Sequence, residues 1–131
     1  MSRVLFIGSN PSCKSDVNSA FDKSTGSGRT LHSWIDRANI SDFAFANVSD
    51  DKTPNNRPLR VSEIKKNVPR LREKIRGYEH VVAVGKTAET ALDMIGIEFF
   101  RLEHPSGLNR KLNDAKYVEL MIKSLSLFIT E

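Results

Sequence analysis

Cysteine is almost missing from this chain: Cys13 is the only one. No disulfide and no cysteine-ligated zinc or iron–sulfur site can therefore form within one chain, and Cys13 reads as a small loop residue. Long apolar runs are missing too. None approaches the roughly 20 residues that span a bilayer, so no membrane partner is expected. There is no Gly-x-x-x-x-Gly-Lys-Ser/Thr loop, and Gly8 lacks the further glycines of a dinucleotide fingerprint. Gly85-Lys86-Thr87 matches only the tail of a phosphate loop, so no nucleotide cofactor is expected. His32, His80 and His104 stand at no helical or hairpin spacing from carboxylates that would suggest a metal site, and no serine occupies a Gly-x-Ser-x-Gly elbow. Metal-dependent and triad hydrolysis are disfavoured, and neither metal nor cofactor is expected. Internal repeats, low-complexity tracts and inter-domain linkers are absent as well. The charge balance is mild: a net +4 permits a polyanionic partner without requiring one.

What remains is an ordinary soluble composition, 39% apolar and 27% charged over 131 residues, enough for one domain, 1–131, with a real core. Met1-Ser2-Arg3 runs straight into Val4-Leu5-Phe6-Ile7, which leaves no room for a cleavable signal; a cytoplasmic location and a monomer are expected. The opening run, Arg3 to Gly8, is continuously apolar, as in a strand covered on both faces. Gly8-Ser9-Asn10-Pro11-Ser12 stops it and exposes short polar groups at its carboxyl end, the edge where open α/β sheets bind ligands. The polar loop from Cys13 to Ser27 contains one aromatic, Phe21. A stacking role and a hydrophobic plug fit it equally well.

Arg29 to Ala38 carries Leu31, Trp34, Ile35 and Ala38 at helical spacing. Phe43 to Val48 reads as a second buried strand with a polar Asn47 near its end. A buried amide needs partners, so Asn47 is a structural bridge, the reading favoured from the residues alone, or a reader of a ligand's donor and acceptor edge. Ser49 to Pro58 is too polar and Pro-rich for regular structure. A helix from Ser62 to about Arg76 follows, with Ile64, Val68, Leu71 and Ile75 on one face and a kink or break expected near Asn67 because of Pro69. Its cations Lys65, Lys66, Arg70, Arg72, Lys74 and Arg76 read as a solvated face before they read as a DNA surface.

His80 to Gly85 is the clearest buried strand. A helix with Ala88, Ala91, Leu92 and Ile95 on one face ends at Gly96, Ile97 to Leu102 forms the fourth strand, and Asn113 to Phe128 the last helix. Strands alternating with helices predict an α/β fold, a three-layer α/β/α sandwich around a central four-stranded parallel sheet. Asn10, Asn47 and His104 then lie at or just after strand carboxyl ends, where one cleft could collect them. His104-Pro105-Ser106-Gly107-Leu108-Asn109-Arg110 reads as an active-site loop with an imidazole, a hydroxyl and an apolar tip beside a cation.

Gly8 to Ser12 after the first strand, Phe21, Phe45-Ala46-Asn47-Val48, Pro54-Asn55-Asn56-Arg57-Pro58 with Glu63, Val81 to Gly85, and His104 to Arg110 together resemble, in order and spacing, the uracil-DNA glycosylase superfamily. The resemblance covers most of the chain and is a hybrid. Asn47 to Ala88 looks most like the branch that carries an iron–sulfur cluster, here without its cysteines. The Asn10 and His104 loops look more like the mismatch-specific and single-strand-selective branches.

The resemblance implies catalytic roles for Asn10, which would hold the attacking water, and His104, which would donate to the base carbonyl as it gains charge. It implies base-binding roles for Pro11, Ser12, Phe21 and Asn47, and DNA-binding roles for Ser106, Gly107, Leu108, Asn109 and Arg110, with Leu108 as a wedge in the duplex. The implied activity is base excision from DNA: hydrolysis of the N-glycosidic bond of uracil or a related altered pyrimidine after base flipping, by a monofunctional glycosylase. Asn10 stands where the fastest branches use a carboxylate, and an amide cannot act as a general base, so a slow enzyme is expected. The alternatives are a non-catalytic DNA or modified-base binder and, more weakly, an enzyme acting on free nucleosides.

Overall fold

The computed structural model describes residues 3–10, 20, 21, 23, 25–106 and 109–130. Four strands, β1 (Val4–Gly8), β2 (Phe43–Asn47), β3 (His80–Val84) and β4 (Phe100–Leu102), alternate with helices α1 (Gly26–Arg37), α2 (Val61–Ile75), α3 (Lys86–Ile95) and α4 (Ala115–Thr130). The strands form one sheet in the order β2-β1-β3-β4, and each adjacent pair is parallel. The expected three-layer α/β/α sandwich around a four-stranded parallel sheet is what forms.

The alternation within each strand separates two cores. Val4, Phe6, Val82, Val84 and Leu102 point to the face covered by α1 and α4, where Leu31, Trp34, Ile35, Met121 and Leu125 meet them. Leu5, Ile7, Ala46, Val81 and Ala83 point to the other face, against Ile64, Leu71 and Ile75 of α2 and Ala88, Ala91 and Leu92 of α3. Successive side chains of a strand leave on opposite faces, so a run apolar at every position needs helices on both sides.

The strand order also decides which helix covers which face. From β1 the chain steps one way to β2, then reverses past β1 to β3 and β4. Right-handed crossovers therefore put α1 on one face and α2 and α3 on the other. The reversal leaves a crevice at the carboxyl ends of β1 and β3, the topological switch point of the sheet.

Two expectations are corrected. No break occurs near Asn67: α2 runs without interruption through Pro69. Leu71, fully buried, and Ile75 after it hold the last turns on the core, and that packing outweighs the hydrogen bond that Pro69 cannot make. The fourth strand starts at Phe100, not Ile97, because its pairing with β3 begins at Val82 opposite Phe100, while Ile97 and Phe99 pack into the α2/α3 side.

Candidate active site

Gly8 ends β1 and pairs in register with Asn47 at the end of β2. The ladder continues past both, with Val48 N–H donating to Gly8 O at 2.9 Å and Ser49 N–H to Ser9 O at 3.0 Å. Gly8 has no side chain where two others crowd in. A Cβ there would lie 2.7 Å from Phe21 Cζ and 2.9 Å from Asn47 Oδ1. Asn47 is buried, 7% exposed, yet among the described residues its carboxamide has no hydrogen-bond partner. Its polar atoms are not sealed from solvent, so the amide is left to meet water or a ligand.

Phe21 adopts a left-handed backbone, φ 53°, uncommon for a bulky residue and of the kind found at functional sites. Its ring packs on Phe45 with centroids 5.9 Å apart and approaches the His104 ring at 6.3 Å. The plug and the pocket wall are thus compatible: one side of the ring rests on the core and another borders the crevice.

Asn10 is held by the loop after β2. Its Nδ2 donates to Asp51 O at 3.1 Å and, at 3.5 Å, to Thr53 Oγ1, while its Oδ1 accepts from Ser9 Oγ at 2.9 Å. Buried Thr53 donates its only hydroxyl proton to Arg57 O at 2.5 Å, so toward Asn10 it can only accept. A carbonyl and a committed hydroxyl both demand a donor, and that orients the amide with Oδ1 turned away from them. Below, Arg57 grips Glu63 through two bonds of 3.0 and 3.3 Å, and the same carboxylate caps Arg60 N–H at 2.8 Å. The Arg57 guanidinium, then the Arg60 amide, hold the Glu63 carboxyl down at about 2.

His104 follows β4. The residue is exposed, but one edge of its ring rests on Gly85, where a Cβ would lie 3.3 Å from Cδ2. Gly85 itself has φ 89°, a turn that also carries β3 into α3. Partial burial of the imidazole lowers its pKa, so near neutral pH it is uncharged, with one N–H and one lone pair.

The loop beyond His104 is tied from within. Asn109 Nδ2 donates to Glu103 Oε1 at 3.1 Å and His104 O at 3.2 Å, its N–H donates to Ser106 O at 3.0 Å, and its Oδ1 accepts from Lys111 N–H at 3.2 Å. Tyr117 of α4 donates its hydroxyl to Glu103 Oε2 at 3.0 Å. Burial raises the Glu103 carboxyl, but Asn109, Tyr117 and Lys111 together outweigh it and the net shift is downward. Asn109 thus organises the loop, Ser106 is half-buried within it, and Arg110 is exposed at the start of a short 3-10 turn, Arg110–Asn113. Pro11, Ser12, Gly107 and Leu108 lie outside the described residues.

Asn10, Phe21, Asn47 and His104 therefore sit at one sheet edge. Sequence reasoning missed what places them: Gly8 and Gly85 as clearances, Asp51 and Thr53 as anchors, Glu103 and Tyr117 as supports. A cleft of about 680 Å³ opens at the opposite, amino edge beside Tyr78, His80 and Phe128. Its charged lining cancels, Arg72 and Arg76 against Glu79 and Glu98, and no strand carboxyl end faces it. Among the described residues no three His, Cys, Asp or Glu side chains gather as a metal site.

A family model described as the uracil DNA glycosylase superfamily matches residues 1–126 of the chain. No curated protein sequence matches it.

Proposed function

This chain belongs to the uracil DNA glycosylase superfamily, and on that premise we propose that it is a monofunctional DNA glycosylase that hydrolyses the N-glycosidic bond of uracil or a related altered pyrimidine. One observation carries the reading: a carboxamide with no hydrogen-bond partner among the described residues and an aromatic ring meet over Gly8, and the His104 imidazole, seated on Gly85, lies 6.3 Å from that ring. A flat ligand with an amide edge suits an aromatic face and a free carboxamide held side by side. Phe21 would stack on the extruded base, and Asn47 would meet its adjacent carbonyl and N–H with its own donor and acceptor. His104 would donate to the remaining ring carbonyl.

The chemistry follows from those positions. The bond between the sugar and the base nitrogen breaks with its electron pair going to the base, and negative charge builds on the carbonyl oxygen facing His104. A neutral N–H aimed there stabilises that charge without first giving up a proton. Water held by Asn10 Oδ1 adds to the oxocarbenium-like carbon, and its proton leaves to solvent. Asn10 orients the water and does not deprotonate it. Leu108 would fill the vacated stack, which offsets part of the unstacking cost, while Ser106 and Arg110 would meet the DNA backbone.

The same amide favours a second reading, a DNA or modified-base binder that keeps the pocket without turnover. A strand-scission assay separates the two, on single- and double-stranded oligonucleotides carrying uracil, thymine mismatches and oxidised or hydroxymethylated pyrimidines, with His104→Ala alongside. Scission lost in the variant supports the glycosylase. Binding of the same DNA with no scission on any substrate supports the binder.

A further inference from the structure

Among the cations of α2, Arg70 does not simply face solvent. Its guanidinium reaches back to the carboxyl end of β2, donating to Val48 O at 2.6 Å and Asn47 O at 3.3 Å and pairing with Asp50 Oδ2 at 3.4 Å. β2 is an edge strand, so no further strand takes the carbonyls on its outer side, and such groups need a donor from elsewhere. Arg70 supplies it with the planar fork that a lysine lacks.

Those contacts bracket the site. Asn47 carries the partnerless carboxamide beside Gly8, and Asp51, the residue after the Arg70 partner Asp50, offers the carbonyl that holds the Asn10 amide at 3.1 Å. One side chain therefore fixes the backbone that aims the base-reading group and the backbone that anchors the water-holding group. We propose that Arg70 is a positioning residue for both: it acts through the 47–51 backbone and makes no contact with DNA. The inference rests on the glycosylase reading for its effect on rate, but not for its effect on the backbone.

Two measurements on Arg70→Ala and Arg70→Lys test it. The first is amide exchange at Val48 and Ser49, whose N–H groups bond Gly8 and Ser9, referenced to Val82 and Val84 in the central strand. Exchange at 48 and 49 should rise by about tenfold in both variants with the central strand unchanged. Equal acceleration everywhere would mean a general loss of stability and would overturn the proposal, as would no change at 48 and 49. The second is single-turnover excision. The rate should fall about tenfold to hundredfold and discrimination between uracil and thymine should narrow, with DNA affinity and its salt dependence close to wild type.

A loss confined to affinity with a shallower salt slope would make Arg70 a phosphate contact instead, and full recovery by Arg70→Lys would reduce its role to charge. Either result overturns the proposal. If wild-type protein excises nothing, the glycosylase reading fails, and the exchange result alone decides whether Arg70 positions Asn47.

Discussion

Replacing Gly8 by alanine places one methyl group where Phe21 and Asn47 meet. The new Cβ would stand 2.7 Å from Phe21 Cζ, 2.8 Å from Cε2 and 2.9 Å from Asn47 Oδ1. Carbon pairs rest about 3.5 to 4.0 Å apart, so the ring must retreat by about 0.8 Å or more. Both obstacles are far ends of side chains, so the fold can yield. Overpacking of this kind costs about 1 to 3 kcal/mol. Gly8 has no positive φ, so alanine recovers about 0.4 to 1 kcal/mol by restricting the unfolded chain. The net loss of stability should be about 2.6 kcal/mol or less, a shift of several degrees in Tm. The site suffers more. A displacement near 1 Å of a positioning group costs about 100-fold in rate, equivalent to about 2.7 kcal/mol of barrier. Single-turnover scission of uracil-containing DNA with enzyme in excess, beside thermal unfolding, reads both quantities. Wild-type rate at wild-type Tm would refute the reasoning, because it would mean that the ring and the carboxamide do not converge over Gly8. A collapse of Tm with the rate lost in proportion would refute it differently, by making the contact structural.

Other perturbations have outcomes of known sign. His104→Ala should slow excision by about 100- to 1000-fold, the range for losing one donor to a developing oxyanion. In the wild type, burial lowers the imidazole pKa, so the uncharged form should persist below the ordinary value of about 6.5, and the His104-dependent acid limb of kcat should lie below that pH; a limb above it would contradict the assignment. Asn10→Asp should not make a fast enzyme: a carboxylate would set an acceptor against Asp51 O and Thr53 Oγ1, and the rate should stay level or fall, as a single-turnover assay would show. Glu63 titrates at about 2 in the folded chain against an ordinary 4.5. Its contribution to stability is complete above pH 4.5 and disappears as pH falls toward 2, so Glu63→Gln should flatten that part of the acid-unfolding curve. An unaltered curve would show that the pair with Arg57 adds nothing.

The sheet was legible because β1 throughout and β3 after His80 are apolar at every position, which only a strand covered on both faces explains, and the polar residues that interrupt the pattern, Asn10, Asn47 and His104, fell at strand ends. What stayed hidden depends on distances between elements. Gly8 looked like a strand terminator; that its empty side receives Phe21 needs the loop placed in space. Arg70 sat in a run of six cations with nothing in the run to separate it from Lys66 or Arg72, since only the three-dimensional reach from α2 to β2 singles it out. Glu103 and Tyr117 lie 14 residues apart on a loop and a helix, beyond any local periodicity. Pro69 misled because helix rules weigh the lost bond and not the burial of Leu71 two residues on.

The glycine that ends β1 and the glycine just after β3 solve one problem twice. Gly8 lets Phe21 and Asn47 approach β1, and Gly85 lets His104 lean on the turn after β3. Both lie at the switch point, where the helices diverge to opposite faces and leave the strand ends uncovered. Asn47 and His104 are therefore seated against main chain, while Phe21 also rests on the Phe45 ring. Most of the polar contacts follow the same logic: Asn10 donates to Asp51 O, with the Thr53 hydroxyl beside it, and Arg70 grips the backbone atoms Asn47 O and Val48 O. A site seated on backbone can be compact, because it needs few supporting side chains to keep an amide and an imidazole in place.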